Sequence, residues 1–188
     1  MESPDQFDPR TDQQLIAALN AGDAAAFEVL YFRYRDWVVN LAARIAGSDD
    51  LALDAMQETF LYFLRKFPGF RLTANLKTFL YPAVKNLAIA ARRNAGRFQS
   101  TESELQWLEQ AAVGGDGANP NGTGDLPAAL ANLSAEHREV LLLRYADGLT
   151  LAEVAEAVEV PLGTVKSRLH HALEALRSDK RARQFFEP

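Results

Sequence analysis

A chain of 188 residues with 48% hydrophobic composition can bury one or two small cores, which excludes wholesale disorder. It has no cysteine, which removes disulfides and thiolate metal sites, and His137, His170 and His171 make a poor zinc set. The formal net charge of -5 is unusual for a nucleic-acid binder, so any phosphate-facing surface must be local.

After a polar stretch, residues 1–11, expected to be disordered, Leu15, Ile16 and Leu19 predict a short helix. Gly22 stops it and Asp23 caps a long second helix, whose apolar positions Phe27, Leu30, Tyr31, Tyr34, Val38, Leu41, Ala42 and Ile45 keep helical period. Gly47 ends that helix and Ser48 caps a third, from about Asp49 to Lys66, with Met56, Phe60, Phe63 and Phe67 as its apolar stripe. Asp54, Gln57 and Glu58 lie on another side of it, and Pro68 with Gly69 stops it. The loop FRLTAN leads to a fourth helix, LKTFLYPAVKNLAIAARRNAG, capped by Asn75 and stopped at Gly96. An interior proline removes one hydrogen bond and clashes with the preceding turn, so Pro82 predicts a kink between Thr78 and Pro82.

From Thr59 to Thr101 there is no acidic residue, while Arg65, Lys66, Arg71, Lys77, Lys85, Arg92, Arg93 and Arg97 are all basic. Phe70, Phe79 and Tyr81 are interleaved with them, a combination that suits unpaired bases held by stacking and a backbone held by charge. A core role for Phe79 weighs about equally with base contact. Residues 98–125 then turn acidic, without Lys or Arg, and contain GGDGANPNGTGD, which reads as a flexible linker; Leu105, Trp107 and Leu108 within it suggest a brief docking helix.

Beyond the linker, LPAALANL and Ser134 to Ala146 predict two helices. Thr150 and Glu153 form a T-x-x-E capping box, and Leu151, Val154, Ala155 and Val158 mark one buried face of a short third helix. Glu159 and Val160 make a turn, Pro161 suits the first position of the next helix, and Val165, Leu169, Ala172, Leu173 and Leu176 form its stripe. Thr164, Lys166, Ser167, Arg168, His170 and His171 occupy its other face. Short helix, short turn and basic second helix together read as a helix-turn-helix, whose second helix enters the major groove. The expected fold is therefore all-α: a four-helix domain over residues 12–97, a linker over 98–125, a four-helix domain over 126–183 and a tail over 184–188.

The patterns GDAAAFEVLYFRY, DAMQETF, NLKTFLYPAVKNLAIAARR and LSAEHREVLLLRYADGLTLAEVAEAVEVPLGTVKSRLHHALEALR, in that order, resemble regions 2 and 4 of the extracytoplasmic-function group of bacterial sigma factors. The resemblance covers nearly the whole chain. It implies that residues 12–97 bind the clamp helices of core RNA polymerase and open the minus 10 element, while residues 126–183 bind the minus 35 element and the polymerase flap. By the same resemblance, Asp54, Gln57 and Glu58 match the polymerase-binding pattern. Phe70, Arg71 and Asn75 fall in the loop that holds a flipped base, and Lys77, Thr78, Phe79, Tyr81, Lys85, Asn86, Arg92 and Arg93 match the helix lining the melted strand. Thr164, Lys166, Ser167, Arg168 and His171 match the minus 35 reader. An anti-sigma factor, often membrane-linked, commonly accompanies the group and joins promoter DNA and polymerase among the candidate partners.

The chain departs from the group at Phe79, where Trp is frequent, at Pro82, and at Glu159, where Gly is usual in the turn. Two rivals stand beside this reading. A repressor or activator would bind a duplex palindrome without polymerase; an enzyme would need a phosphate loop, nucleophile constellation or metal spacing, none of which is present in the sequence. No cofactor, metal or catalytic residue is expected. No apolar run approaches the roughly 20 residues that span a bilayer, and MESPDQFDPR lacks the marks of a signal peptide, so a cytoplasmic protein without membrane insertion is expected.

Overall fold

A computed structural model describes residues 8–96 and 125–182, which fall in two units dividing after Ser100. Every regular element described is helical. Residues 1–7 of the expected disordered start, linker residues 98–124 with the docking helix at Leu105, Trp107 and Leu108, Arg97, and residues 183–188, which include the tail, lie outside the described residues.

In the first unit, α1 (Asp12–Asn20) opens with a capping box in which Thr11 and Gln14 satisfy each other's backbone N–H groups. Leu15 and Ile16 bury its inner face. Residues 8–11 are engaged rather than part of a loose tail. Asp8 pairs with Arg10 at 2.7 Å, Arg33 donates to the carbonyls of Asp8 and Arg10, and Asp12 receives both Arg33 at 2.7 Å and the Tyr34 hydroxyl. These contacts lash α1 to α2 (Ala24–Ala46), which starts at the Asp23 cap and ends at Gly47 in the left-handed conformation. Along α2, Val29, Leu30, Tyr34, Val38, Leu41, Ala42 and Ile45 are buried. Phe27 and Tyr31, placed on the same stripe by sequence, are half-buried and lie against Phe60.

The third helix, α3 (Asp49–Leu64), starts at Ser48, but the Ser48 hydroxyl makes no capping bond. Asp49 and Asp50 instead place negative charge in the first turn, where the helix dipole favours it. Ala52, Ala55, Met56, Thr59, Phe60 and Phe63 face inward, and the Thr59 hydroxyl is satisfied by the Ala55 carbonyl at 2.7 Å. Its end falls two residues short of the predicted Lys66. The fourth helix, α4 (Leu76–Gly96), begins where Asn75 accepts from Lys77 N–H at 2.9 Å, and it continues through Pro82 as one element. Leu76, Leu80, Val84 and Ala88 carry its stripe into α2 and α3.

The second unit begins with α5 (Leu126–Ala131). Asp125, predicted as the last linker residue, caps it. Next come α6 (Ala135–Tyr145), capped by Ser134, α7 (Leu151–Ala157) and α8 (Leu162–Ser178). The Thr150–Glu153 capping box forms as predicted. Pro161 sits one position earlier than predicted, at the N-cap of α8. On α7 the buried residues are Val154 and Ala157, whereas Leu151, Ala155 and Val158 are half-buried, because the helix meets α6 and α8 over a narrower arc than the pattern suggested. Val140, Leu143, Leu149, Val165, Leu169, Ala172 and Leu176 complete this core. The turn into α8 carries Glu159 at φ 55, the left-handed region where a Cβ is strained.

Candidate nucleic-acid interface

The outward side of α3 carries Asp54, Gln57 and Glu58, all exposed, at the i, i+3 and i+4 spacing that places them on one face. Exposed Leu53, Leu61 and Leu64 flank them. Isolated exposed leucines are ordinary, but three along one helix beside a polar row make a patch of interface character.

Where α3 ends, a nest of rings closes the surface toward α4. Buried Phe63 is its base, with Phe67 at 5.2 Å and Phe70 at 5.6 Å in edge contact. Phe79 joins from α4, 4.6 Å from Phe70 and 6.0 Å from Phe63, and stacks on Tyr62 at 5.9 Å. Phe79 is thus a half-buried member of a ring cluster. Asn20, at the end of α1, positions the loop: its amide donates to the Phe70 carbonyl at 2.8 Å and accepts from Gly69 N–H at 2.6 Å. Sequence reading passed over Asn20 because nothing local marks a residue that acts across fifty positions.

Of the basic-surface candidates, Arg71, Asn75, Asn86 and Arg93 are exposed, and Lys77, Lys85 and Arg92 are half-buried. Lys77 lies over Trp37 at 5.5 Å and Lys85 over Tyr81 at 6.0 Å, so each ammonium rests on an aromatic ring. Partial burial lowers the Arg92 pKa from its ordinary value. Two candidates require correction. Thr78 and Tyr81 are each only 4% exposed, turned inward by the same helical period that carries Leu80 and Val84, and so do not belong to the surface.

On α8, Lys166, Ser167 and His171 are exposed and Thr164 is half-buried. Arg168 differs from them. Its guanidinium is held by Glu136 of α6 at 2.7 Å, and the side chain is 20% exposed. His170 and His171 both approach Glu174, at 3.4 and 3.5 Å, and His137 of α6 lies 6.0 Å from His171. No group of three metal-ligating side chains occurs among the described residues, and no described helix is long and apolar enough to cross a membrane.

Comparison with known proteins identifies the family of the two units. Residues 30–98 match the family model of sigma-70 region 2, and residues 129–178 that of sigma-70 region 4. The chain is 28% identical over 177 residues to the ECF RNA polymerase sigma factor SigW of Bacillus subtilis, covering 88% of this chain and 95% of that one. It is 30% identical to the ECF RNA polymerase sigma-E factor of Escherichia coli K12, covering 88% and 92%. Among solved structures, it resembles CnrH in complex with the cytosolic domain of CnrY, with a TM-score of 0.61, 21% identity, and 87% and 93% of the two chains covered. It also resembles the sigma factor RpoE in complex with the anti-sigma factor NepR from Bartonella quintana, with a TM-score of 0.58, 24% identity, and coverage of 80% and 94%. These two likenesses bear on the fold. The match of both regions, together with relatives aligned over 88% of the chain, does not favour the repressor or activator reading. The chain belongs to the ECF group of the sigma-70 family and is an RNA polymerase sigma factor.

Proposed function

We propose that the two units divide promoter recognition, with residues 12–97 holding core polymerase and opening the minus 10 element and residues 126–183 reading the minus 35 element as duplex. The observation that carries this division is the pairing of an acid-free, aromatic-rich stretch in one unit with a helix-turn-helix in the other. Asp54, Gln57 and Glu58 contact the polymerase clamp. Phe70, Arg71 and Asn75 receive the flipped base, and Phe79, Lys77, Lys85, Asn86, Arg92 and Arg93 follow the displaced strand. Thr164, Lys166, Ser167 and His171 face the major groove, with Arg168 at the edge of that surface.

The protein acts by binding alone, without catalysing a reaction, and works in the cytoplasm where polymerase is. The relatives of known structure that were solved with an anti-sigma factor or a cytosolic partner support a protein inhibitor for this chain as well. Purified chain added to core polymerase should yield transcription from a promoter with both elements; absence of any core binding would refute the proposal. Glu58→Lys should weaken core binding while leaving the unfolding transition in place, since Glu58 is exposed. Lys166→Ala should weaken binding to minus 35 duplex.

A further inference from the structure

The ring nest ends at the surface on Tyr62. Phe79 is hemmed by Phe70 at 4.6 Å, Phe63 at 6.0 Å and Tyr62 at 5.9 Å, which restricts the ring face it can offer to a base. Tyr62, by contrast, is 36% exposed, and its plane lies within 15° of that of Phe79, so the two rings form a stack that starts half-buried and reaches solvent on α3. Lys66, one helical turn later and exposed, holds its Nζ 4.4 Å from the Tyr62 ring centroid. An ammonium resting on an exposed ring is weakly held and strongly hydrated, so a flat, polarisable group displaces it readily. Both residues lie within the stretch from Thr59 to Thr101 that contains no acidic residue, Glu58 being the last acid before it.

We infer that Tyr62 and Lys66 form an additional single-stranded DNA site: Tyr62 stacks an unpaired base of the opened promoter strand, and Lys66 moves from the ring to the adjoining phosphate. The inference rests on the assignment of residues 12–97 to strand opening. It extends the strand-binding surface from α4 onto the end of α3, one turn beyond Glu58, so that the polymerase-facing row and the DNA-facing stack share a single helix. Because every base has a π-face, this site adds affinity and holds the strand open without dictating sequence.

The test uses full-length protein assembled with core polymerase and a promoter DNA whose minus 10 non-template strand is single-stranded, with affinity read by fluorescence anisotropy across a salt series. Tyr62→Leu keeps bulk but removes the aromatic face, and it should weaken binding by roughly ten-fold, whereas Tyr62→Phe should stay within about two-fold. Lys66→Ala should reduce the slope of log affinity against log salt by about 0.7, the value for one phosphate of a single strand. Affinity for core polymerase, measured without DNA, should be unchanged in all three. Wild-type DNA affinity in Tyr62→Leu overturns the inference, as does an equal loss in Tyr62→Phe or a matching loss of core binding. Phe70→Ala and Arg71→Ala in the same assay separate the two levels: if they weaken binding and Tyr62→Leu does not, only the added site fails. If they too are silent, the assignment of the whole unit fails.

Discussion

Replacing Arg138 by methionine removes a charged side chain that is built into the core of the second unit. Arg138 is 2% exposed, and its guanidinium donates to the carbonyls of Leu130, Ala131 and Leu133 at 2.8, 2.7 and 2.9 Å. These carbonyls terminate α5 and the turn after it, where a helix has no internal partners for them. Leu130 keeps a second bond from Leu133 N–H, so the substitution strips the described bonds from the carbonyls of Ala131 and Leu133. Each buried carbonyl left unmet costs about 1–3 kcal/mol, and methionine regains part of that by filling the space with apolar volume. A net loss of about 3 kcal/mol results, which at roughly 4–8 °C per kcal/mol lowers the midpoint of a unit this small by at least about 12 °C. Differential scanning calorimetry of the intact chain should show the loss in the transition of the second unit alone. A shift below about 1 kcal/mol, or an equal shift in both transitions, would refute the assignment of Arg138 as the keystone of the α5–α6 junction.

Glu159→Gly should stabilise the second unit by up to about 1 kcal/mol in urea titration, because the left-handed strain at φ 55 outweighs the extra entropy of an unfolded glycine; destabilisation would contradict this. Glu136→Gln releases the Arg168 guanidinium, and the salt slope for minus 35 duplex should steepen by about 0.9 if the freed charge reaches one phosphate; an unchanged slope assigns Arg168 to bracing α8 against α6. Hydrogen bonds from Arg10, above all from its side chain, hold the Asp8 carboxyl at about 2, below its ordinary 3.8. The folded value is the lower one, so this contribution to stability is complete above 3.8 and fades as pH falls toward 2; an NMR titration of Asp8 near 3.8 would disprove it, and Arg10→Ala should move it there.

Helix positions were legible because apolar period and punctuation agree with each other along the chain. Gly47 at positive φ and the Asp23 and Thr150 caps are local devices that need only a few neighbouring residues. The Thr11–Gln14 box is equally local, and its T-x-x-Q signature was present to be read. Ser48 shows the limit of such signals: the residue type and position fit a cap, yet the hydroxyl makes no bond and the charges of Asp49 and Asp50 serve the helix start. What sequence could not supply is contact between elements. The face that α7 buries, the inward turn of Thr78 and Tyr81, the hold of Glu136 on Arg168 and the stack of Tyr62 on Phe79 each depend on the rotation of one helix against another, which periodicity leaves open by a sizeable angle.

The distribution of charge explains why this sigma factor should depend on polymerase to find DNA. Counterion release rewards each phosphate neutralised, but the overall charge of -5 opposes approach at long range, and the acid-free stretch from Thr59 to Thr101 acts only within about a Debye length. The second unit is no better placed alone: on α8 Arg168 is already engaged by Glu136, and Glu174 sits beside both His170 and His171. Under the proposed assignment, docking of the Asp54, Gln57 and Glu58 row on a polymerase would change this balance without altering any DNA contact, because a tethered second binding event is governed by effective concentration. The same exposed acids that repel DNA are then covered. On the proposed assignment, the acidic row on α3 and the basic, aromatic end of that helix are complementary parts of one device, in which occupation of the first makes the second effective.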